Sequence, residues 1–276
     1  MEKPKLILDT SVCGKIAVSR NKDAIRRRMH QNYRLVVSPN TLAELSDAIQ
    51  GGDGSHFETD RERLRIAAGN GTPTFVEWPV TFALKRILRL PHPPKMPKAK
   101  DFEQWFRVIL RAKDRDALFA GTVRRPLLGR NYRQGFDPQI VRRQQENGET
   151  AHVERLKTVS RKNEPPPSPE TWAAEMAKML GFDLTPEQKL AFAKELDAAY
   201  RYDVFLWKAA TDPNNTYDFD KHKNDWIDAQ QLFYLCDPDI RLMVEDRTLA
   251  TRSAGSPQMG QVVRFKEYLK QNGLKL

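Results

Sequence analysis

The chain has 276 residues, of which 39% are hydrophobic and 30% charged, with a net charge of +10 and two cysteines. That length supports a sizeable core in one or two domains, and the composition excludes a disordered chain. Cys13 and Cys236 without any CxxC pair exclude a disulfide scaffold and a cysteine-rich zinc site, leaving two reduced, partly buried thiols as the expectation. The N-terminal apolar run is too short for a signal peptide or a membrane span, so a cytoplasmic protein without membrane association is expected.

Taken in chain order, residues 6–8 read as a short apolar strand ending at Asp9, residues 12–31 as a helix, and residues 34–37 as a second strand. Ser38-Pro39-Asn40 then opens a helix through Ala48, with glycines at 51, 52 and 54 ending it. A helix over 57–68, a strand-like TFVEWP at 74–79 and a helix over 80–89 follow. At PHPPKMPKAK (91–100) the character changes. Residues 95–162 hold 17 basic and 8 acidic side chains, which places nearly all of the net charge there. EPPPSPE (164–170) is a stiff linker, followed by helices over 170–180 and 186–210. The α/β character returns after 220, with a helix over 224–236, a strand over 241–244 ending in Glu245 and Asp246, a short strand over 261–263 and a last helix through 270. This predicts an α/β domain from 1–90 and 211–276, interrupted by a basic, mainly helical insertion over 91–210.

The stretch HKNDWIDAQQLFYL (222–235) carries two aspartates three residues apart. On a helix, Asp225 and Asp228 share a face that continues to Ala229, Leu232 and Leu235, so both carboxylates point the way the core-seeking residues point. A first-turn aspartate is favoured by the unpaired N–H groups of a helix start, which is the plainer reading for Asp225. A half-buried carboxylate further in needs a partner. Two apolar strands also end in acids, LILD at 6–9 and LMVED at 242–246, and in a parallel sheet such ends lie along one ligand-binding edge. Glu44 sits one turn into the helix after the second strand. Each has a plainer role: Asp9 as a cap, Thr41-x-x-Glu44 as a capping box, Asp246 as a turn residue. Jointly, clustered carboxylates need a cation, and oxygen-only ligands suit Mg²⁺ or Mn²⁺. His222 reads as an exposed residue, and CGK at 13–15 lacks the upstream glycine of a phosphate loop.

The order LILDTS, SPNTLAEL, NDWIDAQQLFYL and a strand ending in an acid resembles PIN-domain nucleases over about residues 5–50 and 220–268. The resemblance implies a PIN-like three-layer α/β/α fold with a central, mostly parallel sheet, and metal-dependent endonucleolytic cleavage, of RNA first and DNA second. It assigns Asp9, Glu44, Asp225 and Asp246 as catalytic acids and metal ligands, adds Asp228 as a further ligand, and gives Ser11 a supporting hydrogen bond to ligand or phosphate. A homodimer and an inhibitory protein partner are further expectations of the resemblance. Val244, Glu245 and Arg247 depart from the family pattern around the last acid, where Arg247 is placed to pair with Asp246.

For the insertion, nucleic acid is the expected partner. Arg124, Arg125, Arg130, Arg133, Arg142 and Arg143 would neutralise phosphates. Trp105 and Phe106 read rather as core of the helical segment than as stacking platforms for bases. Two other readings stand beside the nuclease. One is a PIN-like module that binds nucleic acid without cleaving it. The other is a DEDD-type RNase H-like nuclease, echoed by KNDWIDA, which requires the first strand in a long antiparallel hairpin, whereas residues 6–25 read as strand then helix.

Overall fold

The structure is a computed structural model that describes residues 2–51, 56–69, 73–93, 96–119, 138–214, 217–218, 221–222, 225–245 and 247–276; within helices, the side chains at 46–51, 119 and 138–146 are outside that description. Asp246, Arg124, Arg125, Arg130 and Arg133 lie outside the described residues, and for Arg142 and Arg143 only the backbone is described.

Strand β1 (Lys5–Leu8) carries the unbroken apolar run Leu6-Ile7-Leu8, buried on both faces. Such a run is what a strand covered by helices on both sides requires. It pairs in parallel with β2 (Arg34–Leu35) and β3 (Ile240–Val244), and β3 pairs in parallel with β4 (Val262–Arg264). The order is β2-β1-β3-β4, so the chain is a mixed α/β structure around a small, wholly parallel sheet. Past β2, Val37 makes one further parallel bridge to Phe75, which is all that remains of the strand expected over 74–79.

Helix α1 (Thr10–Val18) starts directly after β1, and α2 (Lys22–Asn32) follows. The single helix expected over 12–31 is broken at Ser19, whose hydroxyl accepts from Asn21 N at 3.1 Å. A serine side chain competing for backbone partners is a recognised reason for a helix to stop. Next come α3 (Pro39–Gly51), α4 (Phe57–Ala68) and α5 (Pro79–Leu88). The segment between the two halves of the sheet forms α6 (Ala99–Arg111), α7 (Arg115–Phe119), α8 (Pro138–Lys162), α9 (Pro169–Lys178), α10 (Pro186–Glu195) and α11 (Asp197–Thr211). The helix expected over 186–210 is thus two. Gln258 accounts for the break: it donates to Glu195 O and accepts from Ala198 N at 2.8 Å, satisfying both ends from 60 residues away in the chain. The aspartate segment is α12 (Asp225–Gln231), tightening into a 3-10 helix over Leu232–Cys236 before β3. After β3 come α13 (Thr248–Arg252), a 3-10 turn over Pro257–Gln261, β4 and α14 (Phe265–Gln271).

Alternation along β1 divides the core in two. Leu6 and Leu8 face a cluster that includes Val12, Ile16, Leu42 and Leu64, while Ile7 faces one that includes Leu84, Trp172, Tyr202 and Leu242. The basic segment contributes to both. Phe102, Trp105, Phe106 and Ile109 of α6 are buried in the first cluster, which removes Trp105 and Phe106 from any base-stacking role. Burying each such side chain contributes about 1.5–3 kcal/mol, ample to hold α6 against the sheet layer. Both cysteines are free and buried. Among the described residues, no helix is long and apolar enough to cross a membrane.

Candidate functional site

In the order β2-β1-β3-β4, the chain passes from β1 to one side and reaches the other side only after the long helical excursion, so the sheet's switch point lies between β1 and β3. A crevice opens outside the carboxyl ends of strands at such a point. Asp9 directly follows β1 there and caps α1, its carboxylate accepting from Ser11 N at 3.3 Å and from the Ser11 hydroxyl. The capping role and a site role are therefore compatible. Ser11 acts on Asp9 itself, which fixes how the carboxylate is presented.

The turn after β2 brings α3 to the same edge. Ser38, not Thr41, is the capping residue: its hydroxyl accepts from Thr41 N at 3.0 Å. Thr41 instead donates its hydroxyl to Leu8 O at 3.1 Å, tying the first turn of α3 to the end of β1. Glu44 is thereby released from the capping box that its spacing suggests and takes a hydrogen bond from the Thr10 side chain. Burial first, then the Asp9 carboxylate, and more weakly Asp228 and Glu149, push the Glu44 carboxyl from 4.5 up to about 8. Its Oε2 is buried without a hydrogen-bond partner.

Two further amides are buried on the same elements, one bonded to Asp9 and one on the Glu44 helix. Gln231, fully buried at the end of α12, donates Nε2 to Asp9 Oδ1 at 3.3 Å and leaves its Oε1 without a partner. Asn40, one helical turn before Glu44 on the same face of α3, is 1% exposed with its Nδ2 unpartnered. Leaving a polar atom buried and unmatched costs about 1–3 kcal/mol, so the Asn40, Glu44 and Gln231 atoms each call for a partner beyond the packing around them.

The paired aspartates of α12 have different partners. Asp228, half-buried, acts electrostatically on both Glu44 and Tyr202, raising the proton affinity of each. Asp225 is 7% exposed and bound to Arg252 of α13 at 2.6 Å. The same guanidinium donates to the Tyr202 hydroxyl at 2.7 Å and lies over the rings of Tyr202, Phe205 and Tyr217. Sequence spacing makes the two aspartates equivalent; the structure engages Asp225 with a cation of the chain itself. Glu245, at the end of β3, pairs with Lys15. His222 is exposed and stacks on Tyr217 at 4.8 Å between ring centroids.

Glu149 has no counterpart in the sequence reading. It lies on α8, is 8% exposed and acts electrostatically on Glu44. Gly148 beside it explains the approach of α8 to α12, since a Cβ there would meet Trp226 Nε1 at 2.7 Å. His152, one turn on, lies against the Trp226 ring at 5.2 Å, and burial lowers its imidazole to about 4. No local pattern announces Glu149, because it sits within a run of charged residues that reads as a solvated helix. Gln231 carried a signal, being polar at the head of the apolar run Leu232-Phe233-Tyr234-Leu235.

The donor set is oxygen-rich and acidic, which fits a hard divalent cation. Among the described residues, no three His, Cys, Asp or Glu side chains stand close enough to hold a metal ion directly. Comparison of the chain with protein-family models, with curated proteins and with solved structures finds no match in any of the three.

Proposed function

We propose that the chain is a PIN-like, Mg²⁺- or Mn²⁺-dependent endonuclease that hydrolyses phosphodiester bonds, with single-stranded RNA as the first substrate to test and DNA the second. The observation that carries this reading is Glu44: a buried carboxyl with an unpartnered oxygen, raised to about 8 by burial and by Asp9, Asp228 and Glu149, at the switch point of a parallel sheet. Repulsion of this kind is relieved by a cation. Asp9, Glu44 and Asp228, which do not stand close enough together to hold a cation directly, would hold it through the waters such a cation keeps, with Asp246 following β3 as the fourth acid implied by the family resemblance. When bound, the cation would lower the pKa of a water and stabilise charge developing on the phosphate.

The chain's own residues prepare for that chemistry. Ser11 and Gln231 fix the Asp9 carboxylate from two sides. Glu44, largely protonated near neutral pH without a cation, gives up its proton as positive charge arrives. Glu149 on α8 adds negative charge that raises the proton affinity of Glu44. Asp225, paired with Arg252, anchors the first turn of α12 and so positions Asp228.

The all-parallel pairing of β1 favours this reading over the RNase H-like one, which needs β1 in an antiparallel hairpin. The non-cleaving binding module keeps the same fold and is separated by activity. Wild type, Asp9→Asn and Glu44→Gln are incubated with labelled single-stranded RNA and DNA in Mg²⁺, Mn²⁺ or EDTA. Cleavage by wild type that is lost in EDTA and in both variants is expected. Cleavage that persists in both variants would overturn the assignment.

A further inference from the structure

A second feature of the same sheet edge is basic. A groove of about 730 Å³ runs along α14, where Arg247, Arg264, Lys266, Lys270 and Lys275 surround apolar surface from Leu269, Leu274 and Leu276. Glu267 is the one acid lining it, and it pairs with Arg264. Among the described residues, Lys266, Lys270 and Lys275 have no carboxylate within ion-pair distance, and Lys266, Lys270 and Lys275 are exposed. Five cations against one acid around a concave, partly apolar surface focus a positive potential there and concentrate anions.

The position of the groove gives that potential a direction. Arg264 is the last residue of β4, and Arg247 opens the segment after β3, so both stand at the carboxyl edge of the sheet that also presents Asp9 and Glu44. From there Lys266 and Lys270, four apart on α14, share one face and continue the row of charge away from the edge. A carboxylate site by itself repels a phosphodiester strand. A row of cations beginning at its rim neutralises the phosphates on either side of the one being attacked.

We infer that this groove is the track for the sugar-phosphate backbone of a single-stranded nucleic acid, held by Arg247, Lys266, Lys270 and Lys275 as it leaves the acid edge. The inference deepens the nuclease reading and rests on it for the direction of the strand. A strand fits the groove better than an anionic membrane does, because a planar surface meets the rim of a concavity and not its lining.

The test is binding, read without turnover. Fluorescence anisotropy with a labelled single-stranded RNA in EDTA is measured for the full-length wild type, Lys266→Gln/Lys270→Gln and Lys266→Arg/Lys270→Arg over a range of salt. Losing two phosphate contacts should weaken binding about tenfold at low salt and lower the slope of log Kd against log salt by about 1.4, while the arginine pair stays near wild type. An unchanged Kd and slope in the glutamine pair overturns the proposal. So does unchanged RNA binding with lost binding to phosphatidylserine vesicles, which assigns the groove to a lipid surface. Weakened RNA binding in a protein whose wild type cleaves nothing would sustain the groove and sink the nuclease reading; the reverse pattern sinks the groove alone.

Discussion

Arg252 holds Asp225 in a buried ion pair, its Nη1 2.6 Å from the carboxylate, with the two side chains 12% and 10% exposed. Charges taken out of water are tolerated only when each answers the other, and here the Tyr202 hydroxyl and three aromatic rings complete the shell around the guanidinium. The pair fastens α13, which follows β3, to the first turn of α12, which precedes it.

Removing one partner strands the other. Arg252→Ala should destabilise the protein by about 3–5 kcal/mol, and Asp225→Asn by a similar amount. Replacing both, as Arg252→Met/Asp225→Asn, should recover a large part of the loss. Urea denaturation of the four proteins in a double-mutant cycle measures this; purely additive losses would show that the two residues are not coupled.

Glu44 makes stability depend on pH in a defined direction. A carboxyl raised to about 8 in the fold, against 4.5 when exposed, binds more protons folded than unfolded between those values. Stability is therefore fully present below about pH 4.5 as far as this group is concerned, and falls as pH rises toward about 8. Glu44→Gln should flatten that decline. Mg²⁺ or Mn²⁺ should raise Tm at about pH 8.5 more than at about pH 5, because only the ionised carboxyl rewards the cation. Thermal melts at the two pH values decide it, and an equal metal effect at both would count against Glu44 as a ligand.

Glu149 is the acid that the fold adds from a distance. Glu149→Gln should lower cleavage by about 10- to 100-fold, the range of supporting groups around a metal site, with little change in Tm. It should also ease the ionisation of Glu44, moving the alkaline limb of the stability profile to lower pH. A variant with wild-type cleavage and an unmoved profile would place Glu149 outside the site.

Gly148 permits the contact that delivers Glu149. Gly148→Ala drives a methyl into the Trp226 indole, where a Cβ would stand 2.7 Å from Nε1. Overpacking of this kind costs about 1–3 kcal/mol, read as a fall in denaturation midpoint. Gly148→Ala/Trp226→Phe, which removes the obstructing Nε1 edge, should restore part of it.

Both thiols should be silent in the folded protein. Cys13 is fully buried and Cys236 is pushed up to about 12, first by burial and then by Asp237, so neither offers a thiolate near neutral pH. A thiol reagent should react with neither until denaturant is added, and then with two equivalents.

The sequence by itself determined the two central strands, β1 and β3, and the acids that follow them. Leu6-Ile7-Leu8 and Leu242-Met243-Val244, short continuous apolar runs ending in acids, read as strands covered on both faces, and the chain emits Asp9 and Glu245 at one edge. Local chemistry likewise set several helix starts, as at Asp9, Ser168 and Thr185, whose side chains cap α1, α9 and α10. What only the tertiary structure decided are pairings between residues far apart in the chain. Gln258 splitting α10 from α11, Arg252 claiming Asp225, and Asp228 and Glu149 both acting on the charge of Glu44 each join residues tens to more than a hundred positions apart. The reason is physical: helical and strand periodicity fix which face a side chain lies on, but a carboxylate's partner and its proton affinity are set by whichever charges packing brings within a few ångströms.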